Sequence, residues 1–283
     1  MPTILVTGAS GTLGREVAKR LAEREAPVRL AVRDPSRGIE GCGGMEHFRF
    51  DFHDPTGFPA ALRGVDRVFL LRPPRLASVR RDFEPFLRAM ERAGVERVVF
   101  LSVRGADRNP LLPHRRIEKR LERSGLLWTH LRPNDWMQNF AIVHRDDIRT
   151  RGEIWAPAGR GRTSFVDARD VAEAAAAVLT CPRHERRAYP LTGGEDLDLF
   201  QVADAISDAA GRRVSYREPG VFAFLRHLRA DGRPLALGAV MAGVYTVARL
   251  GLAAGVSPEL ERLIGRPPTA FRTFAEDYAG VWR

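Results

Sequence analysis

Eight residues near the start of the chain, Thr7-Gly8-Ala9-Ser10-Gly11-Thr12-Leu13-Gly14, restrict its fold more than any other stretch. They follow the apolar run Ile4 to Thr7 and open a helix-periodic stretch, Leu13 to Arg24. In such a turn Gly8 permits a tight reversal, Gly11 lets a pyrophosphate approach the backbone and the helix N-terminus, and Gly14 lets helix and strand pack closely. Placed at the first strand-to-helix turn, the pattern points to a dinucleotide-binding site rather than to a merely structural turn.

Short apolar runs then alternate with helical periodicity, as in βαβ units around a parallel sheet buried on both faces. Strands are expected at Val28 to Val32, Phe48 to Phe52, Arg67 to Leu71, Arg97 to Leu101 and Leu127 to Leu131, with helices at Asp82 to Ala93 and Arg115 to Ser124. After Pro133 the pattern loosens; helices are expected at Asp170 to Leu179, Leu199 to Ala210, Leu235 to Leu252 and Glu259 to Ile264, and a strand near Tyr189 to Thr192. The economical architecture is α/β, a doubly wound parallel-sheet Rossmann fold with a smaller, mainly helical C-terminal substrate domain. The expected boundaries are a Rossmann domain over 1–155, with 163–193 returning to its sheet, and a substrate-binding cap over 194–283.

The chain has 283 residues, 44% hydrophobic and 28% charged, enough for an ordinary core and incompatible with disorder. Cys42 and Cys181 stand far apart, so neither a disulfide framework nor a metal site is indicated. The longest apolar run, Leu235 to Ala248, falls short of the roughly 18 to 20 residues of a membrane span and reads as a buried helix. With no charged leader before the first strand, a cytoplasmic protein with no membrane partner is expected. A net charge of +10 invites a nucleic-acid reading, but Lys19 and Lys119 are the only lysines among 45 basic residues. Neither locally basic segment, Arg104 to Arg132 or Arg212 to Arg233, interleaves aromatics with its arginines, so a solvated arginine surface is expected and no nucleic-acid partner.

The choice of dinucleotide turns on the end of the second strand, where a carboxylate would hold a ribose diol. Arg33 stands there, followed by Asp34. A guanidinium pairs with a 2′-phosphate and lies flat on adenine, and Arg37 adds a second charge, which favours NADPH/NADP+. A one-residue shift in strand end would present Asp34 instead. Asp51 and Phe52, closing the third strand, are placed beside the adenine, with Asp51 either accepting from its amino group or serving as an ordinary polar strand end.

At this point the chain resembles the NmrA-like group of atypical short-chain dehydrogenases, related to NADPH-dependent quinone oxidoreductases and isoflavone-reductase-like enzymes. The motifs that carry the resemblance are TGASGTLG, AVRDPSR, DRVFLLRPP, ERVVFLSVRGAD, HRRIEKRLERSGLLWTHLRPNDWMQNF, SFVDARDVAEAAAAVL, YPLTGGEDLDLFQVADAIS and VSPELERLIGRPPTAFRTFAEDYAGVW, in order along nearly the whole chain. The resemblance implies that Ser10, Gly11, Thr12 and Leu13 line the pyrophosphate, Leu71, Arg72 and Pro73 the path from adenosine to nicotinamide, and Ser102 and Val103 the nicotinamide side. It further implies that Asn134, Trp136, Met137, Gln138 and Asn139 form part of the nicotinamide and substrate pocket. The chain departs from the wider family in lacking its Tyr-x-x-x-Lys pair: Pro110 stands at the tyrosine position and His114 at the lysine position.

A positioned general acid contributes about 10²- to 10⁴-fold, so its loss favours acceptors with their own electron sink, such as quinones, iminium ions and enones. His114 is the replacement candidate, as a proton donor with an ordinary pKa near 6.5 or as a partner of the nicotinamide ribose, the alternative being a plain surface histidine at a helix start; Ser102 is the other catalytic candidate. Phe222, Phe224, Leu225, Leu228, Leu235, Val240, Met241 and Tyr245, in the apolar segment Val221 to Leu252, are suited to walling a pocket for a bulky apolar or aromatic substrate, and equally suited to sealing a homodimer face. The leading expectation is an NADPH-dependent oxidoreductase in a tailoring step of small-molecule biosynthesis. The other is a non-catalytic NADP(H)-binding redox sensor acting through a protein partner.

Overall fold

The computed structural model describes residues 1–283 apart from Pro74, Arg75 and Ala77. The first half of the chain runs β1 (Ile4–Thr7), α1 (Thr12–Ala22), β2 (Val28–Val32), β3 (Glu46–Arg49), α2 (Phe58–Leu62), β4 (Arg67–Leu71), α3 (Glu84–Arg92), β5 (Arg97–Leu101), α4 (Pro113–Glu122) and β6 (Leu127–Pro133). It continues with α5 (Gln138–Ile142), α6 (Arg145–Arg151), β7 (Glu153–Trp155), α7 (Ala168–Thr180), β8 (Arg187–Leu191), α8 (Leu199–Ala210) and β9 (Ser215–Arg217). The last elements are α9 (Val221–Ala230), α10 (Leu235–Arg249), α11 (Glu259–Ile264), α12 (Phe271–Asp277) and α13 (Ala279–Trp282).

The chain divides into two compact units. The first comprises 1–133, 168–191 and 259–266. Its sheet has the order β3-β2-β1-β4-β5-β6-β8 with every pairing parallel. The chain winds outward from β1 to β3 and then reverses to β4, so the switch point lies between β1 and β4, the place where such sheets open a crevice at their carboxyl ends. Leu5, Val68, Leu70, Val98 and Phe100 are fully buried in its core, where Phe50, Phe52, Phe58 and Phe86 pack ring against ring.

The second unit comprises 134–167, 192–258 and 267–283, so 134–155 is not part of the Rossmann unit and 259–266 returns to it, which departs from the boundaries drawn on the sequence. It holds a two-stranded sheet of β7 and β9 and a core built on Phe140, Phe224, Phe271, Phe274 and Trp282. α8 starts from a capping box, Asp198 accepting from the Gln201 N–H while the Gln201 side chain accepts from the Asp198 N–H.

Three expectations need correction. β3 lies two to three residues earlier than the apolar run suggested, because Phe50 and Phe52 enter the aromatic core beyond the strand rather than within it. The helix expected from Asp82 begins as a π-type turn at Val79–Phe83 and becomes α-helical only at Glu84. α10 is not a wholly buried helix: Gly238, Met241, Ala242, Tyr245 and Ala248 form one buried stripe, while Leu237, Val240, Val244 and Val247 face solvent. No described helix is long and apolar enough to cross a membrane.

Candidate functional site

Gly8 sits at φ +66°, a left-handed conformation that glycine adopts without cost, and turns β1 toward α1. The Gly11 N–H donates back to the Gly8 carbonyl at 2.9 Å, closing the turn. A Cβ at Gly14 would stand 2.2 Å from the Gly8 carbonyl oxygen, so only glycine allows the helix to approach the strand this closely. Gly11 is the N-cap of α1 and offers no side-chain acceptor, and the first turn carries no acidic residue. The first-turn N–H groups are therefore available to an anion beside the exposed Ser10, Gly11 and Thr12, while Leu13 points inward. This cradle fits a pyrophosphate. Across the switch point, the Leu71 N–H donates to Thr7 Oγ1 at 2.9 Å and Thr7 Oγ1 donates to the Phe69 carbonyl at 3.0 Å, locking the carboxyl ends of β1 and β4 together.

β2 ends at Val32, so Arg33 is the first residue past the strand. Its guanidinium is exposed and has no ion-pair partner among the described residues. Asp34 is turned into its own loop: Oδ1 accepts from Ser36 N–H at 3.1 Å and Ser36 Oγ at 2.6 Å, and Arg37 lies 3.3 Å from Oδ2. Those Ser36 bonds hold the Asp34 carboxyl below its ordinary range. Arg37 thus stands paired with Asp34. Asp51 is exposed and accepts from the His53 N–H at 2.9 Å, and Phe52 belongs to the aromatic core.

Beyond β4, Arg72 is half-buried, and its Nε has no hydrogen-bond partner among the described residues. Pro73 follows, and the second proline of the motif, Pro74, lies outside the described residues. His114 lies in the first turn of α4. Burial, reinforced by the nearby Arg72 charge, lowers its pKa to about 4, so at neutral pH its imidazole is neutral. It can donate or accept a hydrogen bond, but it is not the imidazolium that would serve as a general acid.

Ser102, one residue past β5, is buried, and Val103 beside it is half-buried. The Ser102 hydroxyl donates to Glu118 Oε1 at 2.7 Å. Glu118 is fully buried on α4, and Arg132 grips its carboxylate with Nε at 2.9 Å and Nη2 at 3.0 Å. Arg115 adds a third nitrogen at 3.0 Å and also donates to Glu122 at 2.8 Å. Burial alone would raise the Glu118 carboxyl, but the bonds from Arg132 and Ser102 outweigh it and hold the group below its ordinary range. Glu118, Glu122 and His130 lie close enough to suggest a metal site, yet Arg115 already bridges both carboxylates. Glu118 is not among the site residues expected from the sequence; the signal for it is a charged residue between Ile117 and Leu121 on the helix's buried face.

In the second unit the expected pocket residues scatter. The Asn134 amide donates to the Ser164 carbonyl at 3.1 Å, Ser164 Oγ at 2.9 Å and the Ala253 carbonyl at 2.8 Å, which commits it to bracing loops. Met137 is core, and Asn139 donates to Asp135 Oδ1 at 2.7 Å. Gln138 donates to Asp167 Oδ1 at 2.8 Å, and Trp136, half-buried, bridges to Val166. Tyr245 is buried in the core, its hydroxyl bonded to His144 Nε2, and Phe222 is 92% exposed. An apolar spacing cannot say which side of a helix meets its neighbours, and here α9 and α10 pack through Leu225, Leu228 and Gly238 and through the Phe224 ring against Tyr245.

This cradle and strand order define a nucleotide-binding α/β protein, and the sequence profile of the NAD(P)H-binding family matches residues 8–182. The chain belongs to that family and binds NAD(P)H. It is 34% identical to the NAD(P)H azoreductase of Xenophilus azovorans over 99% of both chains. The NADPH complex of an NADPH-dependent quinone oxidoreductase from Escherichia coli superposes with a TM-score of 0.88, at 27% identity, covering 99% of this chain and 100% of that one. The fold is also that of NmrA, with a TM-score of 0.75 at 17% identity over 99% of this chain and 96% of that one, in keeping with the resemblance to NmrA-like atypical short-chain dehydrogenases.

Proposed function

We propose that the chain is an NADPH-dependent reductase of an activated, bulky apolar or aromatic acceptor of the quinone, iminium or enone type, a tailoring step in small-molecule biosynthesis. The observation that carries the reading is the pairing of a complete pyrophosphate cradle with a site that lacks a charged acid. Pro110 and His114 replace the tyrosine and lysine of the wider family, and the imidazole is neutral at pH 7.

When bound, the cofactor supplies a hydride. The chain's residues bind and orient. Gly8, Gly11 and Gly14 shape the cradle, and the first-turn amides of α1 hold the pyrophosphate. Arg33 receives the 2′-phosphate, since the neighbouring carboxylate that would select a ribose diol is folded onto Ser36. Ser102 and His114 stand at the nicotinamide end as neutral hydrogen-bonding groups, leaving solvent to protonate the reduced acceptor. Such chemistry is sufficient where the acceptor is already electron-poor, as quinones are, and as is the azo class named by the azoreductase relative.

Titration with NADPH, NADH and NADP+, followed by turnover assays with quinone, azo, iminium and simple ketone acceptors, tests the reading. Tight NADPH and turnover confined to the activated acceptors support it. Preference for NADP+ with no oxidation of NADPH by any acceptor would favour the redox-sensor alternative.

A further inference from the structure

We propose that Glu118 is a positioning residue that fixes the Ser102 hydroxyl as a hydrogen-bond acceptor for the nicotinamide end of the cofactor, where a carboxamide N–H or ribose O–H would donate to it. The inference rests on the reading above that Ser102 faces that end.

A carboxylate can only accept, so the 2.7 Å contact from Ser102 Oγ to Glu118 Oε1 sends the hydroxyl proton inward. The remaining lone pairs of Ser102 then accept and never donate, and the group that complements them is an N–H or O–H donor. The direction is well held. Glu118 is fully buried, its two oxygens take three further bonds from Arg132 and Arg115, and these tie the ends of β5 and β6 to α4. Stability alone does not call for this arrangement: well-packed apolar residues in place of a buried ion pair are often neutral or stabilising, and Ile117 and Leu121 flank Glu118 on the same buried face. A neutral acceptor such as glutamine would lack that one-way polarity, because its amide also donates. His114, at the lysine position of the wider family, lies one helical turn before Glu118 on α4.

The experiment is calorimetric titration of wild type, Ser102→Ala, Glu118→Gln and the double variant with two ligands: NADP+, and 2′-phospho-ADP-ribose, which lacks the nicotinamide. Expected is a weakening of NADP+ by about tenfold in each single variant, the scale of one lost hydrogen bond, with the fragment changed less than about twofold and the double variant no worse than the singles. If Glu118→Gln fails to fold by circular dichroism, Glu118→Asp keeps the charge but draws it back from Ser102 and must show the same selective loss. Equal weakening of both ligands by Glu118→Gln would overturn the proposal, because a merely structural residue acts on the whole site. A loss in Ser102→Ala with none in Glu118→Gln would overturn it while leaving the role of Ser102 intact. No selective loss in Ser102→Ala would sink the reading of Ser102 itself and the proposal with it.

Discussion

At the scale of single residues, the site separates groups that bind any dinucleotide from the group that chooses one. Gly14 belongs to the first kind: an added Cβ meets the Gly8 carbonyl at 2.2 Å, and that oxygen is backbone, unable to step aside as a flexible side chain would. Gly14→Ala should weaken NADPH and NADH alike and cost about 1–3 kcal/mol of stability, read by fluorescence titration and urea unfolding. On the reading proposed above, Arg33 belongs to the second. Arg33→Ala should weaken NADPH by about tenfold or more while NADH changes less than about twofold, in the same titration. Equal losses for both cofactors would place the 2′-phosphate elsewhere. The glycines and Arg33 were legible in the sequence because strand ends and βα turns are local, whereas the partners of Asp34, Asn134 and Ser102 are choices among several nearby groups that only coordinates can make.

At the scale of elements, α10 shows how far periodicity reaches. Its uncharged stretch from Leu235 to Ala248 reads as a core helix, yet only the stripe through Met241, Ala242 and Tyr245 is covered, while Val240 and Val244 are 65% and 44% exposed. Val244→Arg should therefore shift stability by no more than about 0.5 kcal/mol, whereas Ala242→Arg, which drives a charge into the buried stripe, should cost about 2 kcal/mol or more, both read as urea midpoints. The reverse order would mean that the helix is turned the other way. The parallel strands are legible because strands buried on both faces form nearly continuous apolar runs, which leave little freedom of register. β3 was misplaced because the Phe48, Phe50 and Phe52 alternation serves both a strand and the aromatic cluster beyond it.

At the scale of the whole molecule, the buried histidines dominate the expected response to acid. Burial lowers His114, His130 and His144 to about 4, below the unfolded value of 6.5, so between those limits the unfolded chain binds more protons and stability falls as pH falls. Asp135, raised by burial to about 6 from an ordinary 3.8, works in the opposite direction over most of the same window, but it is one group against three. Glu118, held low by Arg132 and Ser102, adds its loss only below about 4.5. The urea midpoint should therefore drop between pH 7 and pH 5, and His130→Phe, which keeps a ring against Trp128, should make that dependence shallower. An unchanged slope in the variant would show that His130 is already protonated in the native protein.

The sequence by itself determined the order of strands through the Rossmann half, the glycine cradle and the residue at the end of β2, because each follows from neighbours in the chain or from a short motif. Only the tertiary structure decided that Glu118 lies under Ser102, that Asn134 and Tyr245 spend their polar groups inside their own unit, and that 259–266 returns to the first unit while 134–155 leaves it. A buried polar atom takes whichever partner lies within about 3 Å, and the fold brings residues many positions apart to that distance without leaving any periodic trace in the sequence.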